Sequence, residues 1–272
     1  MKKLLTLIIS LLLFSGYTIA QGDAMVLHYN TNLSQGTTIA LPLYGNVDVI
    51  VDWGDGSTQA INTEGYHEHT YTSEGEYTVT IKGTLSQFGN SGKSCPGVDK
   101  LVGVSSFGTL GIQSLNGAFY KAVNLTSVPS RIPNNVIDME CLFCIATSFN
   151  GDISGWDVSS VENMNAMFYY ATSFNGDISN WNVNRVKIMD EMFSGAISFN
   201  GDISRWDVSN VETMIYMFEN ATSFNGDLSQ WDVSKMKTMM GMFKNAISFN
   251  GDISQWDMRN VRDMRFMFNK DY

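Results

Sequence analysis

Histidine is almost missing from this 272-residue chain: there are three, His28, His67 and His69, and none lies in the half where one pattern repeats. Without histidine there, acid–base catalysis loses its commonest agent, and no Ser, Cys or Thr stands in a recognisable motif with a base. The carboxylates of that half recur by translation, whereas an acid–base pair needs two carboxyls in different surroundings. The expectation is a protein that is not an enzyme.

Cysteine is scarce as well, with Cys95, Cys141 and Cys144 alone. Three cysteines in an oxidising compartment allow one disulfide and one spare thiol, and the reading here is a bridge from Cys95 to one of the other two. Cys141-x-x-Cys144 has no second CxxC and no histidine nearby to complete a zinc site. After the first fourteen residues there is no apolar run approaching the ~20 residues of a membrane span. The opening run itself, Leu4 to Phe14 behind Lys2 and Lys3 and before Thr18-Ile19-Ala20, reads as a secretory signal over residues 1–20. No cysteine follows it to carry a lipid anchor.

Basic residues are the third shortage. Beyond residue 20, fifteen Lys and Arg face twenty-seven Asp and Glu, a net charge of -12. Such a surface repels nucleic acid and anionic lipid, so neither is an expected partner. A secreted or cell-surface protein that meets an extracellular protein or glycan fits better.

What is abundant is a repeat. Trp156, Trp181, Trp206, Trp231 and Trp256 are spaced by twenty-five, as are Met164, Met189, Met214, Met239 and Met264. Around them each unit reads A-x-S-F-N-G-D-[IL]-S-x-W-[DN]-[VM]-x-x-[VM]-x-x-M-x-x-M-F. A propeller blade needs ~40 residues, so this period points to a solenoid of short coils. Trp156 and Val158 alternate about Asp157, which predicts a strand; Val161, Met164, Met167, Phe168 and Ala171 follow the spacing of a helical face. Asn150-Gly151-Asp152 predicts the turn between coils. The Trp and Met columns are then core. The fold class so predicted is a mostly β N-terminal sandwich followed by an α/β leucine-rich-repeat-like solenoid, one short strand and one short helix to each 25-residue unit.

Residues 24 to 82 differ in composition. Period-two runs such as Val47-Asp48-Val49-Ile50-Val51 and Tyr77-Thr78-Val79-Thr80-Ile81 predict strands of the sandwich. The Trp53-Gly54-Asp55-Gly56-Ser57 turn, with His69-Thr70-Tyr71, Gly75 and Tyr77, resembles the PKD-type immunoglobulin-like domain. The unit running from Asn200 to Phe218, with its neighbours, resembles the BspA-like leucine-rich-repeat surface proteins of bacteria. Those resemblances imply a spacer or binding module joined to a surface or secreted binding protein, in some cases an adhesin. The implied division is a signal peptide at 1–20, a PKD-like sandwich at 21–84, a connector and N-terminal cap at 85–113, and the repeats at 114–272.

Two columns of acid stack in this array. Asp152, Asp177, Asp202, Asp227 and Asp252 form the first; the second, at 157, 182, 207, 232 and 257, is interrupted only by Asn182. At the spacing of adjacent coils, neighbouring carboxylates repel by ~1 kcal/mol in water and ~3–4 kcal/mol at an effective dielectric of 20. They are therefore solvated, bonded to turn amides, or bound to a cation. Turn capping is the principal reading, and Ca²⁺, with a structural stalk or matrix role, is the alternative. No cofactor is otherwise expected. His67 and His69, beside Asp55, have the spacing of two ligands on one strand face, but His69 belongs to the turn-closing pattern.

Variation between copies marks exposure. The position before Trp runs Gly155, Asn180, Arg205, Gln230 and Gln255, and a second variable column runs Asn165, Asp190, Ile215, Met240 and Arg265. The predicted partner-binding residues are Asp157, Arg205, Asp207, Gln230, Asp232, Gln255 and Asp257, on the exposed strand face. The final coil, ending at Tyr272 without a polar cap, suggests self-association.

Overall fold

A computed structural model describes residues 24–90 and 93–271. The predicted signal segment and Tyr272 lie outside the described residues.

The first part is one sheet of six strands: β1 (Met25–Asn30), β2 (Thr38–Asp52), β3 (Thr58–Ile61), β4 (Gly65–Thr70), β5 (Glu76–Phe88) and β6 (Leu101–Phe107). Alternation drives it. In β2, Val47, Val49 and Val51 are buried while Asp48, Ile50 and Asp52 face water. The path runs β3-β2-β5-β1-β6, with β4 also on β2, and every pairing is antiparallel. A sandwich of two separate sheets is thus not what forms. β2, at 15 residues, pairs β4 through Thr38–Leu43 and β3 through Val49–Asp52, so one strand holds both partners and the sheet stays continuous.

At its centre Trp53 is buried beneath His69, ring on ring at 4.7 Å, and the Tyr71 hydroxyl donates to the Trp53 carbonyl at 2.8 Å. Gly54 is required in the turn that follows. Its φ is +81° and a Cβ would stand 2.5 Å from the Thr78 carbonyl oxygen.

The repeats are stacked coils, but the predicted helices are absent. Among the described residues the only helical segments are two single 3-10 turns, Thr31–Leu33 and Val98–Lys100. The backbone between Met164 and Ala171 shows why. Met167, Tyr169 and Ala171 donate their N–H groups three residues back, to Met164, Ala166 and Phe168, at 2.9–3.2 Å. The intervening donors Ala166, Phe168 and Tyr170 reach instead to Asp190, Met192 and Ser194 of the next coil at 2.7–2.9 Å. A helix would keep every one of these donors to itself. The alternation is set by left-handed residues four apart, Ala166 (φ 53°) and Tyr170 (φ 51°), repeated at Glu191 and Gly195, Tyr216 and Asn220, and Gly241 and Asn245. The chain therefore buries the three-four apolar spacing of a helix while winding as successive tight turns.

Nor is there a strand at Trp156–Val158. Trp156 and Val158 are buried and Asp157 exposed, as alternation predicts, but Trp156 N–H bonds locally to the Ile153 carbonyl at 3.1 Å. The parallel bridges between coils fall one step later, along Asp138, Asn163, Ile188, Thr213, Thr238 and Asp263. The α/β leucine-rich-repeat-like solenoid is replaced by an all-β sheet joined to a stack of helix-free turns.

The stack begins directly on the sheet. Ser114 bridges Gln87 of β5, and Ser127 bridges Gly103 of β6. β5 itself runs on through residues 84 and 85. One hydrophobic cluster extends without interruption from Met25 to Met267. Within it Phe143, Phe168, Phe193, Phe218 and Phe243 lie ring over ring at 5.6–5.7 Å. The Met columns at 164 to 239 are fully buried.

The disulfide joins Cys141 to Cys144, with Cα atoms 4.8 Å apart. The predicted bridge from Cys95 does not form. Cys95 belongs to the sheet, where its thiol donates to the Ala40 carbonyl at 3.2 Å and burial pushes its pKa up to about 12.

Candidate functional site

The predicted contact residues lie on a ridge of turns rather than on a strand face. Arg205, Gln230 and Gln255 are exposed at the second residue of a turn. Asp157, Asp207, Asp232 and Asp257 follow the buried tryptophan, and each accepts a backbone N–H two residues on, at 2.9–3.2 Å. The first acidic column does likewise: Asp152, Asp177 and Asp202 accept both the amide and the hydroxyl of the serine two residues on, at 3.0 and 2.7 Å. Those bonds favour the ionised form, and the carboxyls of Asp152, Asp177, Asp202, Asp227 and Asp252 are all held below their usual pKa. At Asp257 the Arg259 guanidinium leads, and the pKa falls to about 2.

Turn capping accounts for this acid. Among the described residues no group of three or more His, Cys, Asp or Glu comes together as a metal-ligand set. His67 and His69 are separately engaged, to the Thr63 carbonyl and to Asp55, each at 2.8 Å. The tryptophans are withdrawn from ligands too. Trp181, Trp206 and Trp231 are 3–4% exposed and donate their indole N–H to carbonyls of the preceding coil. The exposed asparagine of each N-G-D turn is also engaged along the stack: the side-chain oxygens of Asn150, Asn175, Asn200 and Asn225 accept the backbone N–H of the corresponding asparagine one coil on at 2.8–2.9 Å.

What remains free is an adjoining face. Val161, Val186, Val211 and Met236 turn into the core, so the residues on either side of them turn out. One outward column reads Glu162, Lys187, Glu212, Lys237 and Arg262; the other reads Ser160, Arg185, Asn210, Lys235 and Asn260. Each member of the first column donates its backbone N–H to the coil before it, as Lys187 does to Glu162 at 2.9 Å and Lys237 to Glu212 at 3.0 Å. That fixes the register and brings the side chains into rows. Between the rows lie successive open hollows of about 420, 410 and 380 Å³.

The furrow is basic on an acidic molecule. Five of the fifteen Lys and Arg that follow residue 20 line it, against two carboxylates. Lys187 pairs with Glu162 at 2.5 Å, Lys237 pairs with Glu212, and Lys235 donates to Asn210 Oδ1 at 2.7 Å. Lys187 and Lys237 accordingly hold the pKa of Glu162 and Glu212 down. Sequence reasoning passed over this face, although aligning the units column by column exposes it: Arg185, Lys187, Lys235, Lys237 and Arg262 all fall beside the recurring Val/Met position. The second variable column, by contrast, is half-buried at Asn165, Asp190, Ile215 and Met240.

Comparison with known proteins places the furrow inside a family. Residues 97–196 and 175–272 match the family described as Mycoplasma protein of unknown function, DUF285, and the chain belongs to it. The resemblances to BspA-like leucine-rich-repeat proteins and to the PKD-type domain are not upheld. The match is to this other family, it begins beyond the strands of residues 25–88, and the repeats lack the helix a leucine-rich repeat requires. No curated protein and no solved structure matches the chain. Among the described residues no helix is long and apolar enough to cross a membrane.

Proposed function

Starting from a family to which no function is attached, we propose that the chain is an exported, non-enzymatic binding protein. It acts at the cell surface or beyond, as an adhesion or interaction module, and grips an extended protein or glycan along the basic furrow. The observation that carries this reading is the contrast between columns. Phe, Trp and Met recur unchanged down the core, whereas the furrow changes residue from coil to coil on an open, register-locked surface. Stacked repeats characteristically bind through such an extended face. Export rests on the first twenty residues, and the non-enzymatic reading on three histidines that are each engaged structurally, His28 with Ser105 at 2.9 Å.

The test is an array of extracellular proteins and glycans probed with residues 21–272, repeated with Arg185→Glu/Lys235→Glu. A partner bound by the native protein and released by the variant, with thermal stability unchanged, supports the proposal. Uniform lack of binding at micromolar protein overturns it.

A further inference from the structure

Resting on the furrow as the binding surface, we propose that its ligand is a linear acidic polysaccharide bearing sparse carboxylate or sulfate groups. The first ground is spacing. Arg185 and Lys187 stand on one coil, Lys235 and Lys237 two coils further on, and the coil between offers Asn210 and Glu212. Bridged coils lie ~4.8 Å apart, so the two cation pairs stand about 10 Å from each other, and Arg262 follows one coil beyond the second pair.

The second ground is the acid left within the furrow. Glu162 and Glu212 occupy alternate coils, opposite in sign to their neighbours. A single nucleic acid strand carries a charge every ~3.4 Å and would set a phosphate against each of them. A polymer charged once per two coils avoids both. Lys187 and Lys237 are released to it cheaply, because their pairs with Glu162 and Glu212 are exposed.

The third ground is what the furrow is made of. No aromatic side chain lines these hollows. There is no platform on which bases stack, and no pocket for the apolar anchors on which peptide recognition depends. Asn184 and Asn260 line it instead, offering amide groups suited to hydroxyls.

The measurement is titration of residues 21–272 with size-fractionated keratan sulfate, hyaluronan fragments, poly-glutamate and oligothymidylate, at low and high salt. Binding to one or both polysaccharides, rising with chain length and weakened by salt, is the expected result; keratan sulfate, which carries sulfate and no carboxylate, against hyaluronan, which carries carboxylate and no sulfate, tells the two groups apart. Arg185→Glu/Lys235→Glu/Arg262→Glu should lower that affinity at least about tenfold with the melting temperature unchanged, while Arg205→Glu on the neighbouring ridge leaves it within about twofold. Poly-glutamate or oligothymidylate binding as tightly as the polysaccharides overturns the inference. So does failure of both polysaccharides; if an array partner is then still lost in the Arg185→Glu/Lys235→Glu variant, the furrow stands as a binding surface with a different ligand. Polysaccharide binding that survives the triple variant removes the furrow itself, and both readings fall.

Discussion

The sheet and the stack hold one core in opposite ways. In the sheet each contact occurs once: Trp53 has its own histidine above it and its own tyrosine bonded to its carbonyl. In the stack each contact is a copy, with Phe168 over Phe193 and Phe193 over Phe218 at the same 5.6–5.7 Å. Unique contacts make the sheet vulnerable at single points. Copied contacts spread the load and free the outward columns to change, and there the candidate binding surface lies.

Breaking that comparison at its strongest point means truncating a ring in mid-stack. Phe193→Ala should cost about 3–5 kcal/mol, because the cavity is enclosed by coils on both sides. Phe268→Ala, in a ring 55% exposed on the last coil, should cost about 1 kcal/mol or less. Urea unfolding of both variants checks this; equal losses would mean that the coils do not share one core.

The matching experiment on the sheet is Gly54→Ala, expected to cost about 1–3 kcal/mol through backbone strain at φ +81° and collision with the Thr78 carbonyl. Unfolding should stay a single transition, since one cluster joins both parts. Two separate transitions would divide the regions more sharply than their packing allows.

A smaller effect is decided by its sign. In a helix, Ala166→Gly would destabilise by ~1 kcal/mol. Here Ala166 sits at φ 53°, and relief of that left-handed strain should outweigh the added freedom of the unfolded chain, for a net gain of about 0.5 kcal/mol. A rise in melting temperature supports successive turns, and a fall of the helical size refutes them.

The smallest expected effect is in acid. Asp55 is lowered from 3.8 to about 2, chiefly by the hydroxyl and amide of Ser57 and then by His69. A depressed carboxyl stabilises the fold above its unfolded pKa, and that contribution disappears as pH falls from about 4 to 2. Asp55→Asn should flatten the stability profile of the protein in that window. Variants of the repeated column, such as Asp177→Asn, should each flatten it less, because Ser179 alone holds that carboxyl down, against the charges of Asp152 and Asp202, whereas Asp55 has His69 as well as Ser57.

Much of the molecule was legible beforehand, and the errors share a cause. Period-two alternation located β2 and β5, and the 25-residue spacing identified the Trp and Met columns as core, which holds except at Met264 of the last coil, 48% exposed where no further coil covers it, because burial patterns are written in local sequence. Helix and strand were misassigned in the repeats because spacing reports which side chains turn inward, not where N–H groups go. The disulfide was misassigned because proximity of Cys141 to Cys144 within one turn depends on backbone path. The furrow was missed because it joins residues twenty-five apart, such as Lys187 and Glu162.

By itself the sequence determined that this chain repeats, which faces of each unit are apolar, and that most of its surface is acidic. Only the tertiary structure decided that alternate N–H groups leave each turn for the next coil, that the two aspartate columns are committed to capping, and that a third of the basic residues beyond residue 20 line up in one furrow. Burial is a property of single residues in their order. Hydrogen bonding between coils and the field of a surface depend on what stacking brings together.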